Sequence, residues 1–153
     1  MIPNWQELPD GPLRNQEMVE YIEKVLAPLF DAENFITTTR IQNYVKWGVM
    51  DPPKGRRYEK IHLAQAMVLT LLKAVLTTEE IAKGIRLQQL SIGTQEAYNA
   101  FCVALEDALE EVHVFEKQES KLLTLSPYPA LSAACKAFAY TRFAREKIKN
   151  PRQ

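Results

Sequence analysis

The chain has 153 residues, 46% of them hydrophobic, with 19 Lys and Arg against 19 Asp and Glu. That is enough apolar material for a real core, which excludes a disordered chain, and enough length for one domain or a small domain plus an oligomerisation element. Zero net charge excludes a uniformly basic or acidic binder, yet the charge is unevenly placed. Residues 1–34 hold 2 basic and 7 acidic groups (−5), residues 35–61 hold 6 and 2 (+4), residues 62–120 hold 4 and 9 (−5), and residues 121–153 hold 7 and 1 (+6). Two basic blocks therefore stand ready for a polyanion or for acidic partners.

The opening MIPNWQELPDG is polar and acidic, without the basic-then-apolar pattern of a secretion signal, so the expected compartment is the cytoplasm. Glycine is scarce, no segment alternates with period two for long, and helix formers dominate; the expected fold is all-α. Asn15–Phe30 spaces Met18, Val19, Ile22, Val25, Leu26 and Leu29 as one helical face, with Glu17, Glu20 and Glu23 early in the helix, where they suit its dipole. Pro28 should end or kink this helix near Ala27. Thr37 or Thr38 caps a second helix to Trp47 that buries Ile41, Tyr44 and Val45, and Gly48 supplies a left-handed stop. Pro52-Pro53 forbids helix, and Gly55 suits the tip of a basic loop that Tyr58 anchors to the body.

Ile61–Leu76 is apolar on nearly every face and predicts the central core helix. His62, Gln65, Thr70 and Lys73 interrupt it, and it falls short of the roughly 20 apolar residues of a membrane span, so no membrane partner is expected. Thr77-x-x-Glu80 is a capping box that starts a helix over Glu79–Leu90. After a break at Ser91–Gly93, Thr94 caps a longer helix to about Glu119, with Tyr98, Phe101, Leu105, Ala108, Val112 and Phe115 forming a seam. Ser126-Pro127-Tyr128-Pro129 reads as a turn before a last amphipathic helix, Ala130–Lys149. Cys102 and Cys135 sit in apolar helical contexts and read as reduced core residues.

Chemistry concentrates in Phe35–Ile61. Arg40, Lys46, Lys54, Arg56, Arg57 and Lys60 face only Asp51 and Glu59 there. A cationic loop beside a polar helix can neutralise phosphates while the helix reaches base edges. The order of elements resembles the MerR-type winged helix-turn-helix. Ile41, Tyr44, Lys46, Gly48 and Val49 fall on that family's recognition-helix pattern; Gly55, Arg56 and Tyr58 match part of its wing, with one residue fewer; Thr77, Glu79, Glu80 and Ile81 match its next helix start. The block N-Y-V-K-W-G with K-G-R-R-Y is also similar to a family of uncharacterised Gram-positive bacterial proteins thought to carry such a domain. The resemblance covers roughly residues 35–90. It departs where Gln42-Asn43 replace the family's Arg-Tyr pair, removing a positive charge while keeping groups that can pair with adenine.

What the resemblance implies is a regulator that binds double-stranded DNA through Thr39, Arg40, Gln42, Asn43 and Lys46 on the helix and Lys54, Arg56, Arg57 and Tyr58 on the wing. It divides the chain into an acidic helical segment (1–34), a winged helix-turn-helix (35–92) and C-terminal helices (93–153). It also implies a homodimer through the seam Tyr98, Phe101, Leu105, Ala108, Val112 and Phe115. The rival reading is a helical protein-interaction adaptor that keeps the fold without binding DNA. A third set of residues, Phe101, Phe115, Tyr128, Phe138 and Tyr140, could line a pocket for an unknown small-molecule effector. No catalytic constellation, metal-ligand spacing or cofactor motif stands out, so neither an enzyme nor a cofactor is expected.

Overall fold

A computed structural model describes the backbone of residues 2–121 and 129–152, and their side chains except at 115, 116, 118–121, 129–132 and 134. Among these residues there are six α-helices and no β-strand: α1 Asn15–Leu26, α2 Thr38–Lys46, α3 Lys60–Leu72, α4 Thr78–Ile92, α5 Thr94–Lys121 and α6 Pro129–Lys149. The chain divides into two compact units, Met1–Cys102 and Val103–Gln153.

In the first unit α1 packs on α2 and α3, and α3 packs on α4. α1 buries Met18, Val19, Ile22 and Leu26, four of the six residues its spacing puts on one face; Val25 and Leu29 are half-buried. It ends at Leu26 with Ala27 as its cap, where Pro28 is expected to stop it, because Pro28 has no N–H for the helix ladder. The chain tightens into one 3-10 turn, Ala27–Leu29, in which the Phe30 N–H donates to the Ala27 carbonyl at 3.2 Å.

α2 is capped by Thr37, whose Oγ1 accepts the Arg40 N–H at 3.1 Å. Gly48 ends it in the left-handed region (φ 72°), which lets the N–H groups of Val49 and Met50 both reach the Tyr44 carbonyl, at 3.1 and 3.2 Å. α3 is the central helix, buried continuously from His62 to Thr70. Each fully buried Leu or Met on it removes apolar surface worth about 1.5–3 kcal/mol from water. Thr70 satisfies its hydroxyl within the helix by donating to the Ala66 carbonyl at 2.7 Å.

Thr77 caps α4 as its motif predicts: Oγ1 accepts the Glu80 N–H at 3.2 Å, and Glu80 Oε1 accepts the Thr77 N–H at 3.0 Å. The helix runs on through Ser91 and Ile92, past its predicted end. Gly93 alone makes the break, donating back to Gln89 O and accepting from the Ala97 N–H, both at 2.9 Å. The cap of α5 is thus the Gly93 carbonyl rather than Thr94, which is already the first helical residue.

The N-terminal segment lies on the start of α5. The Trp5 N–H donates to Asn99 Oδ1 at 2.8 Å, and Tyr98 Oη donates to the Pro3 carbonyl at 2.9 Å, with Met67 Sδ 3.5 Å away. Tyr98 is buried, and burial, followed by the neighbouring Cys102 thiol, pushes its phenol well above its ordinary pKa.

In the second unit, α6 leaves Phe138, Tyr140 and Phe143 exposed, with Lys147 Nζ 5.5 Å from the centre of the Phe143 ring. Cys102 is buried as expected, but Cys135 is exposed on α6 and is not a core residue. Of the turn read over Ser126–Pro129, residues 126–128 lie outside the described residues. No helix among the described residues is long and apolar enough to cross a membrane.

The raised Tyr98 pKa sets a sign. The stability it represents is complete below the phenol's ordinary value of about 10 and is lost as pH rises beyond it, because the unfolded chain then ionises first. Tyr98→Phe should therefore cost about 1 kcal/mol in urea unfolding at neutral pH, through the missing bond to Pro3, and the gap to the parent should shrink above pH ~10. A gap that is the same at both pH values would show that Tyr98 titrates alike in the folded and unfolded chain.

Candidate nucleic-acid interface

α2 turns Ile41 and Tyr44 into the core and leaves Thr39, Arg40, Gln42 and Lys46 exposed, with Asn43 half-buried. At 3.6 residues per turn, Thr39, Asn43 and Lys46 run along the outermost ridge of the helix. Gln42 lies on one flank of that ridge and Arg40 on the other. Trp47, 58% exposed, stands at the end of the helix with its ring edge-on to Tyr44.

The basic loop closes as a tight hairpin, with the Arg57 N–H donating to the Lys54 carbonyl at 3.2 Å. Gly55 occupies the first central position at φ 64°, the left-handed backbone that a two-residue hairpin demands. Lys54, Arg56 and Arg57 project to solvent, while Tyr58 is buried and its phenol pKa is raised by that burial.

Three sets of bonds hold this hairpin to the body. Before the hairpin, Gln65 on α3 makes a reciprocal pair with Asp51: its Oε1 accepts the Asp51 N–H at 3.0 Å and its Nε2 donates to Asp51 Oδ2 at 3.1 Å. His62, one turn earlier, accepts the Glu59 N–H at Nδ1 (2.8 Å) and lies 3.1 Å from the Pro52 carbonyl through Nε2. After the hairpin, Tyr58 and Leu13 exchange backbone hydrogen bonds at 2.8 and 2.9 Å. Gly11 permits this approach, since a Cβ there would meet Glu59 Oε2 at 2.6 Å and the Tyr58 carbonyl at 2.9 Å. Lys60 Nζ adds an ion pair with Asp10 Oδ1 at 3.1 Å. Two of the polar residues that interrupt the apolar run of α3, His62 and Gln65, are therefore hairpin anchors.

These attachments shape an open groove of about 860 Å³ lined by Arg14, Asn15 and Gln16 at the start of α1, Thr38 and Gln42 on α2, and Pro53, Gly55, Arg56, Arg57 and Tyr58 in and beside the hairpin. Three of its lining residues are arginines and none is a carboxylate. Of the residues read from sequence, the structure brings Gln42, Arg56, Arg57 and Tyr58 together here. Thr39, Asn43, Lys46 and Lys54 lie outside the groove lining. Arg40 faces the other way: the Lys73 ammonium, whose pKa is lowered by burial and then by Arg40, donates to the Phe35 carbonyl at 2.6 Å.

Residues 3–101 match the model of a family described as Domain of unknown function (DUF1836). The chain belongs to that family. The DUF1836 match ends one residue before the boundary of the first compact unit at Cys102, so the family region is the unit that holds the groove. No curated protein and no solved structure matches this DUF1836 chain.

Sequence reasoning missed Arg14, Asn15, Gln16 and Thr38. Arg14 carried one weak signal, as one of 2 cations in an acidic stretch. On the α5 seam, Tyr98 is buried in the first unit and Phe101 is half-buried. In the second unit Leu105 is half-buried, Ala108 and Val112 are exposed, and the side chain of Phe115 lies outside those described. Of the residues considered for an effector pocket, Phe138 and Tyr140 are exposed, Phe101 is half-buried, and Tyr128 lies outside the described residues, as does the Phe115 side chain.

The anchors can be separated by substitution. His62→Ala should lower stability by about 1–3 kcal/mol, because it leaves the Glu59 N–H and the Pro52 carbonyl unpaired. His62→Asn should recover part of that loss, since its Oδ1 can accept where Nδ1 does. Chemical denaturation of both variants checks this, and equal losses would show that the ring only fills space.

Proposed function

We propose that this protein binds double-stranded DNA as a transcriptional regulator, through a winged helix-turn-helix of the MerR type. The observation that carries the reading is the groove itself, in which one flank of α2 (Thr38, Gln42) and the wing arginines (Arg56, Arg57) share a carboxylate-free concavity. The order of parts supports it: α1, α2, a tight basic hairpin, a buried central helix and a capped α4. In this reading α2 enters the major groove, Gln42, Asn43 and Thr39 meet base edges, and Lys46 and Arg40 add charge from its outer ridge and far flank. Lys54, Arg56 and Arg57 hold the adjacent phosphates, and buried Tyr58 keeps the hairpin in place. Because Gln42-Asn43 stand where the family resemblance expects Arg-Tyr, affinity rests more on the wing.

A regulator of this kind places two copies on two half-sites. The exposed Ala108 and Val112 with half-buried Leu105, at seam spacing on α5, are the surface assigned to that dimer. A second reading, a protein-interaction adaptor, is favoured by exposed Trp47, since an exposed indole at the end of α2 suits a protein contact as well as a DNA backbone.

A salt titration of binding to random duplex DNA separates the two readings. The parent should lose affinity steeply as salt rises, and Arg56→Ala with Arg57→Ala should reduce that slope by roughly one to two units, with about equal loss on all sequences. A parent without salt-dependent binding would leave the adaptor reading.

For the dimer, Leu105→Glu should give folded monomers by sedimentation, with weaker DNA binding than the parent. A parent that is already monomeric at high micromolar concentration removes the dimer.

A further inference from the structure

We propose that the start of α1 is a second phosphate contact, with Arg14, set beside Arg57, and Gln16 holding the same stretch of DNA backbone as the hairpin arginines. The proposal rests on the DNA-binding reading and extends it to an element that the resemblance did not assign.

The argument begins with register. Leu13 and Tyr58 form an antiparallel bridge whose backbone hydrogen bonds are both made. Arg14 follows Leu13, and Arg57 precedes Tyr58. In an antiparallel pair these two are the next opposed positions, on the face opposite to the buried Tyr58 side chain. Arg14 has extended backbone (φ −75°, ψ 157°), as that register needs. The fold thus sets two guanidinium-bearing residues against one another, an arrangement that is destabilising by itself. Glu17 accepts the Arg14 N–H at Oε1 (3.2 Å), and the same oxygen lies 3.9 Å from Arg14 Nε between exposed side chains, an ion pair of little worth in water. Arg14, Arg56 and Arg57 all line the groove, and an anion placed there relieves their repulsion.

The start of α1 is also held in place. Asn15 Nδ2 donates to the Thr38 carbonyl at 3.0 Å, tying the first turn of α1 to the first turn of α2. The Oδ1 of the same side chain is buried without a partner among the described residues. Arg14 and Gln16 are exposed on either side of it. Arg14 is therefore presented from a rigid corner, fixed to the wing through Leu13 and to α2 through Asn15.

The test is the salt dependence of binding to a random-sequence duplex for the parent, Arg14→Ala, Arg14→Lys, the Arg56→Ala/Arg57→Ala pair and the triple variant, each first shown to melt like the parent. Arg14→Ala should shallow the slope by about 0.9 for each phosphate that Arg14 neutralises, Arg14→Lys should restore it, and the triple variant should combine the effects of Arg14→Ala and the wing pair. If the wing pair shallows the slope while Arg14→Ala matches the parent, the α1 contact is overturned and the DNA reading stands. If the parent itself shows no salt-dependent binding, both fall together.

Discussion

The backbone pair between Leu13 and Tyr58 is the constraint on which the geometry of the groove depends. A two-residue hairpin is too short to hold its own position in water, because so small a β-element buries too little to be stable alone. Here it borrows its position from the body. Tyr58 is buried beside His62, with ring centres 5.5 Å apart, and its N–H and carbonyl are both used by Leu13. Close approach of the N-terminal segment at Gly11 makes that pairing sterically feasible. The same pairing places α1, since the helix begins two residues after Leu13. One short bridge therefore positions both the hairpin and the first turn of α1.

The polar residues inside α3 follow the same logic. Burying an amide or an imidazole is costly unless each polar atom finds a partner. Gln65 uses both of its side-chain groups on Asp51, and His62 uses both ring nitrogens on the Glu59 N–H and the Pro52 carbonyl. The partners are groups of a loop rich in proline, and Pro52 and Pro53 have no N–H with which to join a ladder. The central helix thereby supplies the bonds that a proline-containing loop cannot make for itself, and the loop satisfies groups that would otherwise be buried unpaired. Held at both ends, the hairpin has little conformational freedom left to lose.

Electrostatically, the groove is a local exception in a neutral chain. Positive charge gathers there although residues 1–34 carry a net −5, because Arg14, the one arginine of that stretch, is brought to the hairpin while Glu17 and Glu20 lie outside the groove lining. Local concentration of one sign in a concave surface raises the attraction for an opposite charge well beyond what net charge suggests.

Much of this protein was legible in its sequence because it is locally determined. The caps at Thr37 and Thr77, the stop at Gly48, the turn at Gly55 and the buried stripe of α1 each depend on residues within a few positions of one another, where backbone sterics and short-range hydrogen bonds decide the outcome. Periodicity likewise gave the all-helical class and the inner and outer faces of α2. Three features were decided by tertiary structure. Gln65 and His62 became anchors because the Asp51–Pro52 loop folds back onto α3. Arg14 joined Arg57 because a bridge pairs distant segments in one register. Arg40 was turned from the groove toward Lys73 by the rotation that buries Ile41 and Tyr44. In each case the deciding partner lies far along the chain or on another helix, and no local pattern encodes which distant group will arrive.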